Sequence, residues 1–196
     1  MLKEKLKNKR IILASASPRR RDLLSAIIDD FEVKPLHVEE KFPANLKAEE
    51  IAMYLSRLKA DSWRFSDNNN REIVITADTI VWFEGRLLSK PADFNEAVEM
   101  LSELSGNMHR VYTGVTLRSS EKEHTFHVET RVWFRQLTQE EINWYVTRFE
   151  PYDKAGAYGG QEWIGHVAIE KIEGCFFNVV GLPLPALYLE LEKFCN

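Results

Sequence analysis

Four segments of this 196-residue chain carry side chains whose types and spacing suit chemistry. The first is Leu13-Ala14-Ser15-Ala16-Ser17-Pro18-Arg19-Arg20-Arg21. It reads as a buried strand, then small hydroxyl residues, then a helix start that carries arginines. A helix N-terminus presents free N–H groups and a partial positive charge, so it attracts phosphate. Ser15 and Ser17 add hydroxyl donors, and Arg19 and Arg20 add guanidinium forks that match phosphate oxygens. Read structurally, the segment is a capped helix with solvated arginines. Arginine at a helix start opposes the dipole, which makes a purely structural role mildly unfavourable. On this segment alone both readings stand.

The second segment is Ile73-Val74-Ile75-Thr76-Ala77-Asp78-Thr79-Ile80-Val81. A carboxylate inside an apolar run is unusual, because burying it unpaired is costly. Either the strand ends near Ala77 and Asp78 caps a turn, or Asp78 is a metal ligand or general base at a strand end, where α/β sites sit. In a regular strand Thr79 faces the opposite side. The third segment, Leu88-Ser89-Lys90-Pro91, puts Lys90 between a strand and a helix. Alone, Lys90 reads as a solvated lysine, as does Lys59 late in an amphipathic helix. Glu39-Glu40 reads as a surface pair, or with a metal as a source of one carboxylate. The fourth segment runs from Glu150 to Gln161, and between Ala155 and Gly160 every residue but Tyr158 is Ala or Gly. Such density lets backbone approach a ligand closely. Asp153 suits a cation and Gln161 suits a base edge; the bland alternative is a flexible surface loop.

Other candidates carry less. His124 and His127 are three apart in a strand pattern and face opposite sides. His109 and His166 have no evident partner. Cys175 reads as a core residue of an apolar strand, and Cys195 as incidental. The chain has no Walker lysine, G-x-G-x-x-G or nucleophile elbow.

The elements that must position these groups follow from pattern. Arg10–Ala14 and Phe31–Leu36 read as strands. Pro18 opens a helix, capped by Ser17, over residues 19–28. Leu46–Phe65 has apolar residues at helical spacing. Asp67-Asn68-Asn69-Asn70 reads as a loop. Ile73–Phe83 turns at Glu84-Gly85 into Arg86–Leu88. Asp93 caps a helix to Leu104. Arg110–Arg118 and His124–Arg135 form a hairpin. Thr138-Gln139-Glu140-Glu141 is a capping box for a helix to about Phe149. Val167–Lys171 and Phe176–Val180 read as strands, and Pro185–Phe194 as a closing helix. This order predicts an α/β fold, with a mixed, twisted sheet flanked by helices. No composition shift marks a linker, so residues 1–196 read as one domain.

Composition narrows the function classes. At 44% hydrophobic and 11% aromatic residues the chain can fill a core, which excludes wholesale disorder. A formal net charge of −4 argues against a nucleic-acid coat but allows a local basic pocket for a small polyanion. Two cysteines exclude a disulfide framework. No apolar run is long enough for a membrane span or a signal-peptide core. The expectation is a cytoplasmic protein with neither a nucleic-acid nor a membrane partner.

Taken together, the segments resemble the Maf family of nucleotide pyrophosphatases. The matching stretches are Ser15-Ala16-Ser17-Pro18-Arg19-Arg20, Ala77-Asp78-Thr79-Ile80-Val81, Lys90-Pro91, Leu104-Ser105-Gly106, Asp153-Lys154-Ala155-Gly156-Ala157-Tyr158-Gly159 and Val180-Gly181-Leu182-Pro183. They come in the family's order over residues 10–185. The resemblance implies an elongated, two-lobed fold of the Maf/ITPase type with a central cleft, often dimeric. It also implies hydrolysis of nucleoside triphosphates between the α and β phosphates with a divalent cation, Mg²⁺ or Mn²⁺. Arg19-Arg20, Asp78-Thr79 and Gln161 are similar to the dTTP/UTP branch rather than the branch acting on 7-methyl-GTP. The chain departs from that branch at Gly159-Gly160-Gln161-Glu162, where Gly-Ile-Gln-Gly is common. The extra glycine is expected to loosen the loop, and Glu162 to add a carboxylate beside the base.

By that resemblance Ser15, Ser17, Arg19, Arg20, Lys59 and Lys90 hold the triphosphate, with Lys90 among the catalytic groups. Asp78 activates water or holds the metal that does so, and Glu40 is its partner carboxylate. Arg19, Thr79, Asp153 and Gln161 belong to the substrate site, with Gln161 reading a pyrimidine. Other readings are a pyrophosphatase for non-standard purine nucleotides or 7-methyl-GTP, and a nucleotide-binding regulator of cell division without catalysis.

Overall fold

Ile- and Val-rich runs become the central strands, and most of the capped segments become helices. The structure, a computed structural model, describes residues 1–65 and 71–196; Asp67-Asn68-Asn69-Asn70, expected as a loop, lies outside the described residues. In chain order come α1 (Leu2–Leu6), β1 (Arg10–Leu13), α2 (Pro18–Ser25), β2 (Glu32–Val33), α3 (Glu49–Asp61), β3 (Glu72–Phe83), β4 (Arg86–Leu88) and α4 (Phe94–Leu104). Then follow β5 (Met108–Arg118), β6 (Glu123–Phe134), α5 (Gln139–Phe149), a 3-10 turn (Ala155–Ala157), α6 (Trp163–Ala168), β7 (Ile169–Glu173), α7 (Phe176–Val180) and α8 (Leu184–Phe194). None of the described helices is long and apolar enough to cross a membrane.

The sheet has seven strands in the order β2-β1-β3-β5-β6-β7, with β4 paired to β3 outside that path. β1 runs parallel to β2 and β3, and the other pairings are antiparallel. This is the mixed, helix-flanked α/β sheet expected from the alternation of elements.

The caps hold as read. Ser17 Oγ accepts from Arg20 N at 3.4 Å, and Asp93 accepts from Glu96 N at 3.0 Å. The capping box closes both ways, with Glu141 N donating to Thr138 Oγ1 at 3.2 Å and Thr138 N to Glu141 Oε2 at 2.8 Å. Glu84 and Gly85 both have positive φ, 47° and 82°, as the two-residue hairpin between β3 and β4 demands.

Several expectations are corrected. Helix α1 was not anticipated; it is held by buried Leu2, which packs in the cluster containing Leu187 and Leu191. The second strand shrinks to Glu32–Val33, and the helix from Leu46 begins only at Glu49. Phe176–Val180 is helix, not strand. Buried Asn178 sends its amide to Val111 O and Thr130 Oγ1, and Gly181 at φ 122° ends the turn. A five-residue apolar run has no periodicity that separates the two states, so packing decides. Cys175 therefore precedes a helix and is partly exposed. The strand placed at Val167 starts at Ile169, behind helix α6.

Strand β3 organises the molecule. Its first half pairs with β1, from Arg10↔Glu72 to Leu13↔Ile75. Its last residues pair with β4, from Val81↔Leu88 onwards. Between them, residues 76–80 have no strand neighbour on that edge. Chain direction diverges there, which is where open α/β sheets place their sites. Ile73, Ile75 and Ala77 belong to one apolar cluster with Leu13, Leu24 and Leu191. Val81 and Phe83 belong to another with Leu101, Tyr145 and Tyr158. Thr79 falls between the two. On the other face, α3 packs over Ile80 through Ile51 and Leu55. Gly114, paired with Asp78, permits that approach: a Cβ there would lie 2.3 Å from Ala52 O.

Candidate active site

The unpaired edge of β3 opens into a cleft of about 530 Å³. All eleven residues singled out from the sequence line it: Ser15, Ser17, Arg19, Arg20, Glu40, Lys59, Asp78, Thr79, Lys90, Asp153 and Gln161. With Lys154, the lining holds five cations against three carboxylates, in a chain whose formal net charge is −4. The local field therefore opposes the global one and favours a polyanion.

Asp78 is buried on the α3 face of β3 and accepts from the Lys59 ammonium, which late α3 carries over it. Lys59 also reaches Glu40 at 2.8 Å, and Lys90 stands 3.9 Å from the other Glu40 oxygen. Burial pushes the Glu40 carboxyl up, but the Lys59 hydrogen bond and the charges of Lys59, Lys90 and Arg20 outweigh it and hold it below the usual range. Two carboxylates thus meet on one ammonium. Hard oxygen donors of this kind suit Mg²⁺ or Mn²⁺, which take one or two carboxylates and leave positions for phosphate oxygens. The described residues offer no group of three or more His, Cys, Asp or Glu placed for a metal, so a cation here would have Glu40 and Asp78 as its side-chain donors.

The opposite face of β3 carries Thr79. Arg20 donates from Nε to Gly181 O at 2.9 Å and from Nη2 to Thr79 Oγ1 at 3.0 Å. Thr79 and Thr113 hydroxyls lie 2.9 Å apart, and Thr113 donates onward to Asn178 O at 3.1 Å. The relay therefore runs Arg20 to Thr79 to Thr113 to backbone, which fixes the guanidinium plane. Two of its five N–H groups are used, leaving three for phosphate oxygens. Burial lowers the Arg20 pKa, with Arg19 adding to the effect and Asp78 and Glu40 opposing it; it remains a cation at neutral pH. Ser15 is buried and its Oγ accepts from Ser17 N at 3.2 Å, shaping the turn before α2.

The Ala/Gly segment forms the far wall. It is a buried wall, not a loose surface loop: Gly156 to Gly160 are all buried. Gly160 does not slacken it, because its Cα faces Val179 and its carbonyl touches Gly165. Asp153 binds cations of the chain itself, Arg19 Nη1 at 2.9 Å and Lys154 Nζ at 2.6 Å. Burial raises its pKa, but those two partners pull it below the usual range. Gln161 Oε1 is buried with no partner among the described residues, so a donor is what it lacks. Glu162 does not line the cleft as expected; its carboxylate turns back to Tyr145 OH and to Lys154 Nζ at 3.2 Å.

Sequence reasoning passed over Lys154, Tyr145, Thr113 and Asn178. Asn178 alone left a signal, as a polar residue inside an apolar run. Lys154 lay inside the Asp153–Gly159 stretch without a role of its own, and Tyr145 and Thr113 are joined to the site only by folding.

A family model described as Maf-like protein matches residues 10–194. A dTTP/UTP pyrophosphatase of Bacteroides thetaiotaomicron is 50% identical over 184 residues, 93% of this chain and 95% of that protein. One of Christiangramia forsetii is 46% identical over 196 residues, all of both chains. The solved structure of the Staphylococcus aureus Ham1 protein is similar in fold, with a TM-score of 0.52 at 17% identity, over 95% of this chain and 100% of that one. With a family model spanning nearly the whole length and relatives near half identity, the chain belongs to the Maf-like protein family.

Proposed function

We propose that this chain is a nucleoside triphosphate pyrophosphatase acting on dTTP and UTP, releasing the monophosphate and pyrophosphate. The observation that carries the reading is the meeting, at one unpaired strand edge, of a carboxylate–lysine group (Glu40, Lys59, Asp78, Lys90) and a fixed arginine (Arg20). The names of its half-identical relatives support the same reaction.

Phosphoryl chemistry needs mainly positioning and charge neutralisation. Arg19, Arg20, Lys59 and Lys90 orient the triphosphate, and the N-terminus of α2 adds backbone N–H groups. Asp78 takes a proton from the attacking water. The water oxygen bonds to phosphorus as the bridging P–O bond breaks, and pyrophosphate leaves with that electron pair. Lys59 balances the charge on Asp78 until that proton arrives. A divalent cation held by Glu40 and Asp78 would supply charge neutralisation on the phosphate oxygens. On the far wall, Gln161 reads the base. Thymine and uracil offer a ring N–H that answers its unpartnered carbonyl, flanked by a carbonyl for its NH₂. Both cysteines are unpaired, as suits a reducing compartment such as the cytoplasm.

The test is pyrophosphate release from dTTP, UTP, CTP, 7-methyl-GTP and ITP, with Mg²⁺ or Mn²⁺ and with a chelator. Preference for dTTP and UTP, abolished by the chelator, is expected. Turnover of another nucleotide would keep the reaction and discard the role of Gln161. Binding without product on any of them would sink the enzyme reading.

A further inference from the structure

We infer that Tyr145, Glu162 and Lys154 form a clasp behind the far wall that positions Gln161, so that base selectivity is set by residues that do not face the base. The inference rests on the pyrophosphatase reading above.

The geometry is specific. Tyr145, on α5, is fully buried, and its hydroxyl stands between two parts of the wall. It accepts from Gly159 N at 3.2 Å and donates to Glu162 Oε2. Glu162 folds back directly over Gly159, where a Cβ would meet its Cδ at 2.8 Å. The other Glu162 oxygen takes Lys154 Nζ, which also holds Asp153 Oδ1. Lys154 and Glu162 side chains are 9% and 19% exposed, so removing either would leave the other buried without its ion-pair partner.

Two fixed points, the amide of Gly159 and the carboxylate of Glu162, thus bracket Gln161. Gly159 and Gly160 follow Tyr158; Gly160 is confined by Val179 and Gly165, which leaves the Gly159 side to be held. A single hydroxyl holds the Gly159 amide and the Glu162 carboxylate together. Glu162 is therefore a positioning residue, and the carboxylate that the sequence suggested would face the base acts instead through the backbone that carries Gln161. Lys154 extends the clasp to Asp153 and through it to Arg19 at 2.9 Å.

Tyr145→Phe deletes only the hydroxyl. The expected result is a KM for UTP and dTTP raised about tenfold, kcat within about twofold, and a UTP-over-CTP preference reduced about fivefold, losses of the size a single positioning contact controls. In a Gln161→Ala background the same change should cost no further selectivity, because both act through one amide. Glu162→Gln keeps the acceptor but discharges the partner of Lys154, and should show the same split more weakly. Equal losses on UTP and CTP, or full additivity with Gln161→Ala, would overturn the clasp. Amide hydrogen exchange separates this from failure of the functional reading. In Tyr145→Phe, residues 159–162 should exchange at least about tenfold faster while β1 and α2 are unchanged, whatever nucleotide the wild type uses. Unchanged exchange in that segment overturns the clasp even if dTTP and UTP are turned over.

Discussion

On one side of the open edge of β3, Glu40, Lys59, Asp78 and Lys90 pair with one another, from buried Asp78 out to solvated Lys90. On the other, Lys154, Glu162 and Tyr145 pair behind a wall of buried backbone. The outer pair, Glu40 and Lys90, is 40% and 58% exposed, whereas Lys154 and Glu162 are 9% and 19%; the inner pair, Lys59 and Asp78, is as closed in as the wall at 14% and 10%. The difference follows from what each side must do. An exposed ion pair such as Glu40–Lys90 is weak, so an anion such as a phosphate oxygen could replace its carboxylate at little cost. Buried pairs lose much when one partner goes, so they hold shape. The outer part of the charged side is thus open to exchange of partners, and the wall keeps them.

This contrast makes graded predictions. The largest effect belongs to Asp78→Asn, which should cut pyrophosphate release about a thousandfold on every nucleotide with the thermal midpoint little changed. A variant that keeps most activity would remove Asp78 from the chemistry. Arg20→Lys comes next. Lysine cannot span Gly181 O and Thr79 Oγ1 with a planar fork, so KM should rise about thirtyfold for all nucleotides alike; a loss confined to one base would contradict a phosphate role. Gln161→Glu should act on the wall side alone. It is expected to shift the dTTP-to-CTP ratio of kcat/KM about tenfold, near 1.4 kcal/mol, with kcat little changed. Uniform loss across the nucleotide panel would remove Gln161 from base reading.

The smallest effect concerns stability. His109 stands behind the wall, fully buried, with Nε2 2.7 Å from the Tyr158 hydroxyl. Burial lowers its pKa from 6.5 to about 3. The unfolded chain therefore binds a proton below pH 6.5 that the folded chain refuses until about pH 3. Stability from this group is complete above 6.5 and falls as pH drops through the window between the two values. From pH 7 to pH 5.5 the loss should be about 1 kcal/mol, read as a shift in the urea midpoint. The difference between wild type and His109→Gln across that range isolates it, and identical pH slopes would refute a neutral, buried imidazole.

Much of the charged side was legible before folding. Ser17-Pro18 announces a helix start, and Asp78 stands out because an aspartate inside a β-branched run needs a reason. Lys59, Lys90 and Glu40 carried no such signal. A lysine late in a helix and a glutamate pair in a loop look the same whether solvated or converged on one carboxylate. The wall was legible in part. Its Ala/Gly density pointed to close approach of a ligand, with a flexible loop as the alternative, and the extra glycine to a looser loop; Tyr145, fourteen residues upstream of Gly159, instead bonds its backbone. The apolar Phe176–Val180 run was assigned to strand because five residues show no period, whereas contacts of Asn178 with Val111 and Thr130 settle it as helix.

Local chemistry along the chain was thus enough to set the caps, the long strands, the hairpins and the residue types of a phosphate site. Those depend on neighbours within a few positions and on the twofold and 3.6-fold periods of backbone geometry. Convergence was decided by the tertiary structure alone. Where β1 stops and β4 begins along β3, how near Gly114 lets α3 descend, and which carboxylate faces the cleft are set by packing between segments far apart in sequence. No local pattern encodes them, because each depends on the position of a partner that only the folded chain supplies.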